Sequence, residues 1–153
     1  MEVTFQQVLD AAREDLFAFH TEPQNLAVLL EGWPGFRLLS HSGHIRVGAQ
    51  TTLTQSVGPF RFHMTFEHFL LEPPSRFGER MVAGPFARFE HVHVFHVEGT
   101  RTAIVDRLSY ELPWHWGGRL AERWIVSPTL RKFFAFRENA YRRLIAAGRI
   151  PAR

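Results

Sequence analysis

Two histidines, His91 and His93, stand one residue apart in GPFARFEHVHVF, residues 84–95. The run alternates as a strand does, so both imidazoles fall on one face. At about 6.5–7 Å apart along the strand, they are close enough to share a carboxylate, a metal ion or a polar ligand. Imidazole also gains and loses a proton near neutral pH, which suits acid–base work. If Gly99-Thr100 is a two-residue turn, the flanking strands pair His93 with Asp106, His91 with Leu108, Phe89 with Tyr110 and Phe95 with Ile104. That face is aromatic and apolar with polar groups inserted, and it should look inward. The opposite face pairs Arg88 with Glu111 and Glu90 with Ser109, and reads as the solvent side with a cross-strand ion pair.

Three chemistries are open to the inward histidines. They form a satisfied polar cluster in which His93 bonds Asp106, a ligand-orienting cluster in an apolar pocket, or a metal or general-base site. Metal is disfavoured, because His96 points to the other face, there is no cysteine, and no clear further donor joins His91, His93 and Asp106. His41, His44, His63 and His68 are expected at the surface or at edges. Arg137 falls within an apolar helical stripe beside Phe133 and Phe134, where an unpaired guanidinium is costly. Asp106, Glu79 or an anionic ligand head group would have to receive it.

The elements that hold these residues follow from periodicity. Residues 2–9 read as a strand, 11–20 as a short helix with Asp10 as N-cap, and 23–32 as a second short helix opened by Pro23. From Phe36 to Leu112 the period is two, with strands expected at 36–41, 46–57, 60–72, 76–83, 86–98 and 101–112. On 60–72, alternation puts Phe60, Phe62, Met64, Phe66 and Leu70 on one face. Leu120, Trp124, Leu130, Phe133, Phe134 and Tyr141 recur at helical spacing between about Gly117 and Ala147, with a break expected at Ser127-Pro128. The order predicts an α+β domain: a curved antiparallel sheet of about seven strands wrapped around a long C-terminal helix, with two short helices after the first strand.

Composition narrows the function. The chain has 153 residues, 15 of them Phe, and a net charge of +3. It is expected to form a single domain over residues 1–153. With no cysteine, disulfide scaffolds, thiolate metal sites and cysteine nucleophiles are excluded. Lys132 is the only lysine and the arginines are scattered, so no densely basic face argues for nucleic acid. No signal peptide and no apolar run of membrane-spanning length are visible, which makes a cytoplasmic setting the default. No motif calls for a cofactor or sets an oligomeric state.

The motifs resemble those of the SRPBCC superfamily, the helix-grip fold that includes START lipid-binding domains, birch-pollen-type allergens and polyketide cyclases. PQNLAVLL at 23–30 is similar to the P-x-N-L-x-x-L element of bacterial members. Phe77, GPFARFEHVHVF and GTRTAIVDRLSYELP at 99–113 resemble the pattern F-x-D…GPF-x-x-W-x-H-x-H-x-F…T-x-x-x-D-x-V-x-Y-x-x-P. Phe136-Arg137 resembles the aromatic–Arg pair of its last helix. Glu79, Phe89 and Leu108 stand where the pattern has Asp, Trp and Val, with the chemistry kept.

The resemblance implies a cavity rather than a shared catalytic motif. A small, largely apolar molecule is expected between sheet and helix, in a space of a few hundred Å³ (about 300–1,000 Å³ is usual). Its apolar wall would come from Phe62, Met64, Phe66, Phe77, Met81 and Phe89, with Trp124 and Phe133 from the helix. Polar contacts would come from His91, His93, Asp106, Tyr110 and Arg137. The rival readings are a cyclase- or hydrolase-like enzyme using the His93–Asp106 pair, and a co-chaperone-like interaction module.

Overall fold

The structure, a computed structural model, describes residues 1–114 and 117–153. Alternating apolar positions produce seven strands: β1 (Glu2–Leu9), β2 (Arg37–His41), β3 (Gln50–Val57), β4 (Phe60–Glu72), β5 (Arg76–Ala83), β6 (Arg88–Glu98) and β7 (Arg101–Glu111). They form one antiparallel sheet in the order β1-β7-β6-β5-β4-β3-β2. All neighbours except β1 and β7 are consecutive in the chain, as short connections require.

The β6–β7 hairpin closes through Gly99-Thr100, with Glu98 opposite Arg101. Gly99 has φ of 64°, a left-handed conformation that a Cβ disfavours. This tight turn sets the register, and His93 pairs Asp106 and His91 pairs Leu108 as expected. The expected cross-strand ion pair does not form, because Arg88 turns along its own strand to Glu90 at 3.2 Å. β3 begins at Gln50 rather than at residue 46, since the chain turns at Gly48, whose N–H donates to the His68 carbonyl at 2.8 Å.

Two bulges curve the sheet between β4 and β5. One falls between Thr65 and Phe66 and the other between His68 and Leu70, where Phe69 is the extra residue. A bulge bends its strand and reverses the side-chain parity beyond it. Leu71 therefore pairs the inward Phe77, and Leu70 pairs Gly78 on the opposite face, contrary to the unbroken alternation.

The short helices are α1 (Arg13–Thr21) and α2 (Gln24–Leu29). Asp10 does not cap α1; the cap position is Ala12 with no side-chain bond, and Glu14 and Asp15 in the first turn complement the helix dipole instead. The last helix, α3, starts at Arg119–Ala121, passes through a π-helical turn at Glu122–Val126 and continues as Ser127–Ala146. The expected break at Ser127-Pro128 is thus a change of winding rather than an interruption. Proline is tolerated there because it stands in the first turn of the α-helical part.

The concave face of the sheet packs on α3 through two clusters. Leu16, Phe17, Phe77, Phe95, Ile104 and Tyr141 belong to one. Leu53, Phe66, Leu108, Tyr110, Val126 and Phe134 belong to the other. No helix among the described residues is long and apolar enough to cross a membrane.

Candidate ligand-binding site

Antiparallel register lines up inward residues in rows across the sheet. One row runs His68–Glu79–His91–Leu108, and the next Leu71–Phe77–His93–Asp106. The carboxylate of Asp106, only 1% exposed, sits behind both imidazoles. His91 Nε2–H donates to Asp106 Oδ1 at 2.9 Å. His93 Nδ1 lies 2.7 Å from the same oxygen, though off the line of a ring N–H, so the contact is close but poorly aligned. The rings lean together, with centroids 3.8 Å apart, well inside their spacing along the backbone. His93 also stacks on Phe77 at 4.2 Å. Glu79, on the neighbouring strand, places Oε1 3.6 Å from His91 Nδ1 and 3.9 Å from His93 Nε2.

α3 brings Arg137 to the same point. Its Nη1 reaches Asp106 Oδ1 at 3.4 Å and its Nη2 donates to the Tyr141 hydroxyl at 2.9 Å. The guanidinium also lies over the Phe134 ring at 5.0 Å, a cation–π contact that suits a buried Arg. Tyr141 in turn bonds His20 of α1. His20 Nδ1 sits 2.7 Å from the Leu16 carbonyl, which can only accept, so Nδ1 carries the proton and Nε2 accepts from Tyr141. One chain therefore runs from Leu16 through His20, Tyr141 and Arg137 to Asp106.

The charges follow from these contacts. Burial alone would raise the Asp106 carboxyl, but Arg137 and the two imidazoles outweigh it and hold it well below the usual range. Glu79 is likewise held low against burial by His91 and His93. For His91, burial is outweighed by its bond to Asp106 and by the nearby Glu79 carboxylate, and its pKa is raised. His20 is pushed down to about 3, first by burial and then by repulsion from His93 and Arg137. Tyr141 is pushed up to about 12, chiefly by burial.

This cluster closes the inner end of a cavity of about 860 Å³ whose wall is overwhelmingly apolar. Phe62, Met64, Phe66, Phe77, Met81 and Phe89 line it, as does Phe133. His91, His93 and Arg137 face it as well. Three expected contacts fall elsewhere. Asp106 lies behind the imidazoles and meets the cavity only through them. Tyr110 borders a separate, smaller cleft and donates its hydroxyl to Glu122 at 3.2 Å. Trp124 is 68% exposed, because the π turn lengthens the step of the buried stripe. Ala121 and Val126 become its successive buried members, and Trp124 points away between them.

The family model described as "Polyketide cyclase / dehydrase and lipid transport" matches residues 9–133, most of the chain. The chain belongs to this family. Among curated proteins, none matches the sequence significantly. Solved structures support the same fold. A Thermus thermophilus protein, TTHA0849, superposes with a TM-score of 0.75 at 18% identity, covering 97% of this chain and 99% of that one. Norcoclaurine synthase from Thalictrum flavum gives 0.73 at 16%, covering 97% and 96%. Ginseng major latex-like protein 151 from Panax ginseng gives 0.67 at 13%, covering 99% and 98%. At such identities the likeness establishes the helix-grip fold and nothing finer.

In this member of the polyketide cyclase / dehydrase and lipid transport family, the polar end of the cavity is larger than the sequence reading made it. His68, expected at the surface, is buried at 3% exposure and lines the cavity. Its even-numbered place beside Phe62, Met64 and Phe66 was the available signal, since strand parity puts all four on one face. Glu79 was legible only as a partner for Arg137, and instead faces the imidazoles. His20 carried no signal beyond lying in a short helix, because what it meets is decided by how α1 lies on the sheet.

Proposed function

We propose that the protein binds a small, largely apolar molecule that carries one polar group. The cavity of about 860 Å³ supports this reading most directly, since ligand sites of about 300–1,000 Å³ with few convergent polar groups are usual. A fold packed solid with phenylalanine would instead have favoured an interaction module. Arg137 is already engaged by Asp106 and Tyr141. The polar group of the occupant therefore meets Glu79, His91 and His93 rather than the guanidinium.

The reading is tested with an anilinonaphthalene sulfonate dye and with native mass spectrometry for co-purifying molecules. Saturable binding of one dye per chain is expected. Met64→Trp, which adds bulk to the cavity wall, should weaken it by about tenfold or more, equivalent to about 1.4 kcal/mol. Unchanged affinity in that variant would remove the cavity as the binding site.

A second reading draws on one observation, the close approach of His93 to Asp106 at 2.7 Å on a cavity wall. A carboxylate-oriented imidazole is a suitable general base. Turnover of a carbonyl-containing occupant, lost in His93→Gln with binding retained, would favour it.

A further inference from the structure

We propose that Glu79, His91 and His93 form a three-ligand site for a divalent first-row transition metal of the zinc class, with its remaining position open to the cavity. The proposal goes beyond the binding reading, because metal affinity needs no apolar occupant.

The donors are arranged for it. One atom from each residue lies within 4.8 Å of the other two. His91 gives its Nε2 proton to Asp106. His93 Nδ1 lies 2.7 Å from the same carboxylate, though off the line of a ring N–H, and a protonated Nδ1 suits so close an approach better than a second lone pair facing the carboxylate. With neutral rings, the bare nitrogens are then His91 Nδ1 and His93 Nε2. These are the two atoms that face Glu79 Oε1, at 3.6 and 3.9 Å. Three electron-rich atoms thus converge at separations too long for hydrogen bonds. Ligands about 2.0–2.2 Å from a tetrahedral ion stand about 3.3–3.5 Å apart. The two ring–carboxylate separations therefore need shifts of a few tenths of an ångström, and the ring nitrogens, within 4.8 Å of each other, must draw together around the ion.

The surroundings agree. Asp106 supplies the outer carboxylate that fixes tautomer and ring orientation in carboxylate–histidine–metal arrangements, and Arg137 holds Asp106. His68, opposite Glu79 in register, is buried and its Nδ1 has no hydrogen-bond partner among the described residues. Two imidazoles and one carboxylate, without thiolate, suit zinc(II), cobalt(II) or iron(II) rather than calcium or magnesium. The third donor comes from β5 and is Glu79, the carboxylate weighed from the sequence as a partner for Arg137.

The rival occupant is a proton bridging His91 and Glu79, and a titration with metal alone separates the two. Chelator-treated protein is titrated with cobalt(II), then with zinc(II), and followed by visible absorption and by metal content after gel filtration. One equivalent of cobalt is expected, with the intense bands of a four-coordinate ion, displaced by zinc. Glu79→Gln and His93→Gln should each weaken binding by at least about tenfold, and His63→Gln, on the exposed face, should not. No binding, weak six-coordinate bands, or affinity unaltered in both site variants would overturn the proposal. Should His93→Gln fail to fold, Glu79→Gln at the partly exposed wall and the wild-type spectrum still decide. Dye binding is read separately, so failure of the cavity reading does not mimic failure of the metal site.

Discussion

Asp106 is the shared partner of the buried polar cluster. It is fully buried and meets His91, His93 and Arg137 at once. Removing one partner of a buried charge cluster costs about 3–5 kcal/mol, because the other charges are left without compensation. Asp106→Ala is expected to lose that much in urea unfolding, and Asp106→Asn less, since it keeps an acceptor. Arg137→Met should also destabilise, as it strands Asp106. A near-neutral Asp106→Ala would mean that the cluster is solvated. His20 makes a separate prediction. Its pKa is about 3 in the folded chain and near 6.5 unfolded, so below that value only the unfolded chain takes up the proton. Stability is complete above about pH 6.5 and falls by up to about 1.4 kcal/mol per unit on acidification. His93, Arg137 and Asp106 face His20 from the sheet and α3, and Tyr141 bonds it directly; all persist in His20→Gln. His91, whose raised pKa works in the opposite sense, persists too and cancels. From about pH 7 to about pH 5, wild type should lose about 2 kcal/mol more than His20→Gln. Equal losses would show that His20 protonates freely in the fold.

The last helix illustrates how one irregular turn redistributes a side-chain pattern. From Val126 onward, Leu130, the adjacent Phe133 and Phe134, and Arg137 recur at helical spacing and face the sheet. The π turn before them leaves Leu120 and Trp124 exposed. Phe134 stacks on Phe5 at 4.1 Å, so Phe134→Ala should cost about 3–5 kcal/mol. Trp124→Ala should stay within about 0.5 kcal/mol, as surface substitutions do. A large loss on Trp124→Ala in chemical denaturation would place that indole inside. At the other end, Gly148 has φ of 69° and lets the chain turn so that Arg149 N–H bonds the Leu144 carbonyl at 2.8 Å. Ile150 is thereby returned to the core.

For the molecule as a whole, the space between sheet and helix matters more than any single residue. A cavity that size forgoes packing contacts that a solid core would have made. An occupant that binds only the folded chain restores stability by mass action, about 2.7 kcal/mol at a free concentration one hundred times its Kd. Thermal unfolding should therefore shift upward with increasing dye or native occupant, and Met64→Trp should blunt the shift. A melting temperature independent of ligand concentration would contradict the binding reading. Several exposed arginines pair locally, as in Arg76 with Glu72, Arg80 with Glu67 and Arg142 with Glu138. Such surface pairs contribute little to stability, and they disperse the positive charge.

Much of this was legible in the chain itself. Period-two and helical patterns placed the seven strands and three helices, and the glycine turn after β6 set the one register that brings His91, His93 and Asp106 to a common face. That relation was readable because it is local: a two-residue turn leaves a single way to pair its arms. Of what joins the cluster from elsewhere, only the need of Arg137 for a buried carboxylate was readable. His68 arrives through a β4–β5 pairing that carries two bulges, and alternation alone does not reveal an extra residue. Glu79 arrives through the β5–β6 register, which no tight turn fixes in the sequence. His20 and Tyr141 meet because α1 and α3 dock on the same concave surface. The cavity exists because a curved sheet stands away from a helix whose first turns wind differently. Those distances depend on how the elements pack, and no periodicity along the chain encodes them.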